Sequence, residues 1–146
     1  MGAARSVDRV RDAGGELLLN GALLPELTET FALARELGAG IHLTSIQLHA
    51  LLARPDDLPA ALAASCHTLD DLRRAEAIAV DFAVLGPVKP TATHPDATAL
   101  GWNAFAAQRE QVALPIYALG GLRRDDLRDA RVHGAQGIAA IRGLWS

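Results

Sequence analysis

Three stretches of this sequence carry side chains able to do chemistry. The first is Ser65-Cys66-His67-Thr68, a hydroxyl, a thiol and an imidazole in succession. His67 suits general acid/base work, because an unperturbed imidazole titrates near neutrality. The plainer alternative makes Thr68 a helix cap and leaves His67 satisfied by backbone. Cys66 reads as a small buried apolar residue, since nothing marks a lowered thiol pKa. The second stretch, from Gly86 to Pro95, contains three prolines and two threonines and predicts a stiff loop long enough to reach over a ligand. The hydroxyls of Thr91 and Thr93 and the cation of Lys89 suit an oxyanion, or else the loop is merely ordered and Lys89 solvated. The third is a pair of glycine-bearing strand ends, Gly120-Gly121 and Arg142-Gly143. Glycines after a strand let backbone N–H groups approach an anion, and a following helix start adds a favourable dipole. Each glycine alone reads more readily as a tight turn, but two such ends backed by Arg142 point to phosphate.

Other candidates are weaker. Asn20-Gly21 is either a turn or a place where the Asn20 amide enters the site. Asp56-Asp57 and Asp125-Asp126 read as helix starts, where carboxylates complement the dipole. His42 lies inside an apolar run, and His49, His94 and His133 are scattered without a metal-ligand spacing. No metal site, zinc included, is expected from these residues.

Elements must hold these groups in place. Six short apolar runs, Glu16–Asn20, Gly40–Leu43, Ala61–Ser65, Asp81–Leu85, Leu114–Leu119 and Gly137–Ile141, each predict a strand buried on both faces. Between them, Leu27, Phe31, Ala34 and Leu37 recur at helical spacing, as do Leu69, Leu72, Ala75 and Ile78. Further helices are predicted from about Trp102 to Val112 and from about Asp125 to His133, the latter ended by Gly134. Val7–Ala13, before Gly14-Gly15, reads as a helix preceding the first strand. Repeated strand and helix predict right-handed βαβ units and a parallel sheet, either a barrel or doubly wound. In a barrel, phosphates are held by the loops after the last two strands, where both glycine-bearing ends fall. No linker composition divides residues 1–146, which are expected to form one domain.

Composition excludes several partners. Half of the residues are hydrophobic, only 4% are aromatic, and the formal charge is -3 with both signs interspersed. There is no basic stripe for nucleic acid and no basic cluster beside an apolar segment for a membrane surface. No apolar run approaches the roughly 20 residues that span a bilayer. The single cysteine cannot form an internal disulfide, and Met1-Gly2-Ala3-Ala4-Arg5 has no apolar signal core behind it, which points to the cytoplasm.

In sequence order, Leu17–Asn20, Gly40–Leu43, Ser65–His67, Asp81–Val88, Pro90–Thr93, Ala118–Gly121 and Gly137–Ile141 resemble the strand-end motifs of the thiamine-phosphate synthase and TenI-like superfamily. The resemblance implies an incomplete TIM (β/α) barrel of six parallel strands, without the first strand, first helix and second strand. His94-Pro95, Leu100–Trp102 and Arg142–Trp145 are closest to the TenI-like domain found behind Nudix hydrolase domains, so a Nudix association is an expectation. Members bind a thiazole phosphate, and the synthases join it to a pyrimidine diphosphate with Mg²⁺.

The resemblance makes Gly120, Gly121, Arg142 and Gly143 the phosphate grip. It makes Asn20, Thr91, Thr93 and His94 substrate-binding residues, with His94 standing where the family has lysine. His67, two residues after Ser65, resembles the acid/base of the thiazole tautomerase branch. Two departures concern Mg²⁺: Gly21 replaces the aspartate after the strand-end Asn20, and Thr44–Gln47 lacks the acidic residue expected after the next strand. The expected function is binding of a phosphorylated thiazole with tautomerase-like proton transfer and no metal. The alternatives are a thiamine-phosphate synthase completed by another segment, needing Mg²⁺, and a silent phosphate-binding or interaction module. The two sheet edges of a truncated barrel, at Leu17–Asn20 and Gly137–Ile141, predict a homo-oligomer.

Overall fold

The apolar runs all form strands: β1 (Leu18–Asn20), β2 (Gly40–Leu43), β3 (Leu62–Cys66), β4 (Phe82–Leu85), β5 (Ile116–Leu119) and β6 (Gly137–Ala139). The structure, a computed structural model, describes residues 8–91, 96 and 98–140. Every neighbouring pair is parallel, and the six strands lie in chain order from β1 to β6. Strand order settles what composition left open. A doubly wound sheet reverses its winding at a switch point, which puts the strands out of chain order. Unbroken order is that of an incomplete (β/α) barrel, with β1 and β6 at its edges.

Helical residues 8–12 form α1, ahead of β1 as the Gly14-Gly15 stop predicts. The connections hold α2 (Leu27–Leu37), α3 (Ser45–Ala50), α4 (Leu69–Ala77), α5 (Gly101–Arg109) and α6 (Leu127–Val132), the last entered through a 3-10 turn over Arg124–Asp126. Asp125-Asp126 opens a helical segment as expected. Asp56-Asp57 does not: these residues form a turn, and Asp57 bonds Arg35 at 2.9 Å on the surface. The connection from α3 to β3 has no apolar periodicity to bury, so the dipole argument has no helix to act on. Helix α3 was not expected, being too short to show a face. Its signal is the box Thr44-x-x-Gln47, in which Thr44 Oγ1 accepts the Gln47 N–H and Gln47 Oε1 accepts the Thr44 N–H.

Side chains on a strand alternate between faces, and here the two faces differ. Leu19, Ile41, Leu43, Leu62, Ala64 and Leu85 join one buried cluster with Phe31, Leu48, Leu72 and Phe105 of the helices. The intervening residues His42, Ser65, Phe82 and Tyr117 turn to the concave face and are only partly buried. There Phe82 and Tyr117 meet edge to face, ring centroids 5.2 Å apart. The apolar core therefore lies between sheet and helices, and the concave face keeps polar side chains near its C-terminal rim. Among the described residues, no helix is long and apolar enough to cross a membrane.

Candidate phosphate-ligand site

The C-terminal ends of β3, β4 and β5 are knit into one rim. Thr68 caps α4, its hydroxyl accepting the Asp71 N–H at 3.1 Å, while Asp71 Oδ2 accepts the His67 N–H at 2.8 Å. Asp71 Oδ1 lies 2.6 Å from His49 Nε2 of α3. Burial alone would raise the Asp71 pKa, but hydrogen bonds from the His49 ring and the His67 N–H outweigh it and hold the carboxyl below its usual range. The His67 ring is exposed, and its Nδ1 lies 2.9 Å from the Gly86 carbonyl. A carbonyl only accepts, so Nδ1 is the donor in this contact and Nε2 is left as the nitrogen able to exchange a proton. The plainer alternative holds: Thr68 caps the helix, and a backbone carbonyl takes the His67 ring. Cys66 is buried, and desolvation followed by the Asp71 charge pushes its thiol pKa up to about 12, which removes it as a nucleophile.

From Gly86 the chain runs beside the end of β5. The Val88 N–H donates to Leu119 O at 2.8 Å and the Lys89 N–H to Gly120 O at 3.0 Å. Gly120 has φ +105, and a Cβ there would stand 2.5 Å from Pro87; Gly121 has φ +66, and its Cβ would stand 2.5 Å from Pro90 O. Both positions exclude other residues on backbone and packing grounds. Lys89 is ion-paired while its side chain stays partly exposed to solvent. Its Nζ bonds Asp126 Oδ1 at 2.6 Å, and Asp126 Oδ2 accepts the Arg123 N–H at 2.8 Å. The Lys89 hydrogen bond, then that from Arg123, holds the Asp126 carboxyl below its usual range. Leu100 and Gly101 donate back to Pro87 O and Val88 O at 2.7 and 2.8 Å, closing the base of the loop that carries Thr91. Thr93, His94, Arg142 and Gly143 lie outside the described residues.

The corner after β1 and β2 is built differently. Asn20 Oδ1 accepts the Ala22 N–H at 2.9 Å, a turn-forming use of the amide. Gln47 Nε2 donates to Gly21 O at 2.9 Å, and the Gly21 N–H donates to His42 O at 2.8 Å. A Cβ on Gly21 would overlap the Gln47 amide. On the neighbouring concave face, His42 Nε2 lies 2.7 Å from Ser65 Oγ. Sequence reasoning missed this pair. Its signal is alternation, because Ile41 and Leu43 are apolar and His42 must face away from them.

The family model described as thiamine monophosphate synthase matches residues 11–144. The chain belongs to that family. A thiamine-phosphate synthase of Azorhizobium caulinodans is 35% identical over 110 residues, covering 72% of this chain and 50% of the relative. That of Bacillus velezensis is 29% identical over 145 residues, covering 97% and 61%. A solved structure of thiamine phosphate pyrophosphorylase from Pyrococcus furiosus superposes with TM-score 0.69 at 20% identity, covering 95% of this chain and 63% of its own. That likeness bears on fold and agrees with the incomplete barrel. The chain spans about half the length of the first curated relatives it matches.

Membership in the thiamine monophosphate synthase family brings Mg²⁺ into question. Gly21 and the Thr44–Gln47 segment stand where the resemblance expects carboxylates, and here the two positions meet through a neutral amide. Gly21 O already takes Gln47 Nε2 and, at 3.4 Å, Thr30 Oγ1. A hard cation wants anionic oxygens, and this corner offers none. Among the described residues no three His, Cys, Asp or Glu side chains are placed to hold a metal. These residues do not fit Mg²⁺.

Proposed function

We propose that the chain works in thiamine biosynthesis as the thiazole-phosphate-binding part of a thiamine-phosphate synthase, completed by another segment or chain. Relatives carrying the synthase name support the reaction, and the partial coverage of those relatives motivates the completing segment. The observation that carries the binding role is the rim in which Gly120-Gly121, the Gly86–Lys89 backbone and the His67 loop are tied together. In this reading Gly120, Gly121, Arg142 and Gly143 take the phosphate, while Asn20, Thr91, Thr93 and His94 contact substrate. The cation ligands of a synthase must then come from elsewhere, since the β1 corner lacks them.

Titration calorimetry with thiazole phosphate tests the binding role, and absence of binding ends it. Thiamine phosphate formation from both substrates with Mg²⁺, by the chain alone and in lysate of its source, tests the synthase role. Absence of turnover in both ends that role.

A second reading, tautomerase-like proton transfer on the thiazole phosphate, is favoured by the geometry of His67. Its Nδ1–H is committed to Gly86 O, so Nε2 takes up and returns one proton with no metal. Isomerisation of the thiazole that survives chelation and vanishes in His67→Gln supports it; wild-type inactivity rejects it. The proposal extends to a cytoplasmic, two-fold dimer that covers the β1 and β6 edges, and to association with a Nudix hydrolase domain. A monomer by light scattering at micromolar concentration counts against the dimer.

A further inference from the structure

We infer that His42 is the positioning residue for Ser65, holding its hydroxyl on the concave wall of the site; the ligand it would serve rests on the reading above.

Alternation supplies the first support. Ile41 and Leu43 are buried in the core between sheet and helices, so His42 projects from the opposite face. On β3, Leu62, Ala64 and Cys66 are buried in the same core, so Ser65 also projects from the concave face. Register supplies the second. His42 pairs with Ala63, which leaves Ser65 two residues further toward the rim on the same face, within reach of the imidazole. The contact is the third: Nε2 and Oγ are 2.7 Å apart, a full hydrogen bond.

The backbone under His42 is held as well, since His42 O accepts the Gly21 N–H at 2.8 Å. Burial lowers the His42 pKa, so near neutrality the ring is uncharged, one nitrogen a donor and the other an acceptor. A serine hydroxyl without such a partner rotates among three wells. With Nε2 beside it, one side of Oγ is occupied and its remaining donor or lone pairs face the open side of the sheet. Ser65 lies two residues before His67, so the imidazole on β2 acts on the rim through the serine.

The test is a set of variants, His42→Ala, His42→Gln, Ser65→Ala and His42→Ala with Ser65→Ala, titrated calorimetrically with thiazole phosphate after a melting curve confirms that each folds. The expected result is about tenfold weaker binding for each alanine variant, the scale of one hydrogen bond. The double variant should be no weaker than either single one, and His42→Gln should recover most of the loss. Losses that multiply, or a glutamine as poor as alanine, overturn the inference. If the wild type does not bind thiazole phosphate, the proposed function falls and the pairing is read by nitrogen NMR instead. His42 ring shifts that move in Ser65→Ala uphold it, and unmoved shifts overturn it.

Discussion

The rim at β3, β4 and β5 and the corner after β1 and β2 stand at the same end of one sheet, yet they hold their loops with different chemistry. At the rim, charged and titratable groups do the holding: Asp71 grips the His67 N–H and the His49 ring, and Lys89 reaches Asp126. At the corner the holding groups are neutral, with the Gln47 amide bonded to Gly21 O and the Asn20 amide closing its own turn. A barrel can keep its strand ends in register while the groups they display change, because the register belongs to backbone hydrogen bonds. The glycines show the same contrast. At Gly86 a Cβ would overlap the backbone carbonyl of Leu119, whereas at Gly21 it would overlap the movable end of Gln47.

Four substitutions sharpen or break that contrast. Gly86→Ala should cost about 3 kcal/mol or more in urea unfolding, because β4 and β5 must part to admit a methyl group. Asp71→Ala comes next, at about 2 kcal/mol, since it removes a buried carboxylate that holds both the His67 N–H and the His49 ring. The pH dependence follows the same group. With its folded pKa depressed, Asp71 contributes stability that is present above about pH 4, the unfolded value, and lost as pH falls through the folded value. Acid titration of wild type should show that loss, and Asp71→Ala should flatten it.

Gly21→Ala should cost about 1 kcal/mol in the wild type and less in a Gln47→Ala background, a coupling that a double-mutant cycle measures. Equal cost in both backgrounds would mean that backbone, not Gln47, sets the corner. Arg35→Ala should change stability by less than about 0.5 kcal/mol, because its partner Asp57 sits in water.

Much of this was legible from residue order. The six apolar runs, the cap at Thr68, the apolar role of Cys66 and the two glycines at the end of β5 are local matters, each settled by a few neighbouring residues. The misreadings have a common source. Asp56-Asp57 carries a dipole-friendly composition but no apolar stripe beside it, and α3 is too short to display one. Lys89 looked either solvated or ready for an anion, and its partner Asp126 lies across two elements. His42 looked like an ordinary strand residue until β3 was placed beside it.

The sequence by itself determined the alternation of strands and helices, the apolar faces and the absence of carboxylates at the corner, since these follow from residue type and spacing of 2 or 3.6. Tertiary structure alone decided the order of strands in the sheet and, with it, every pairing between strand ends: His42 with Ser65, His67 with Gly86, Lys89 with Asp126 and Gln47 with Gly21. The physical reason is that backbone hydrogen bonds fix which strands lie side by side, and only side-by-side strands bring residues 19 to 37 positions apart within the reach of a hydrogen bond.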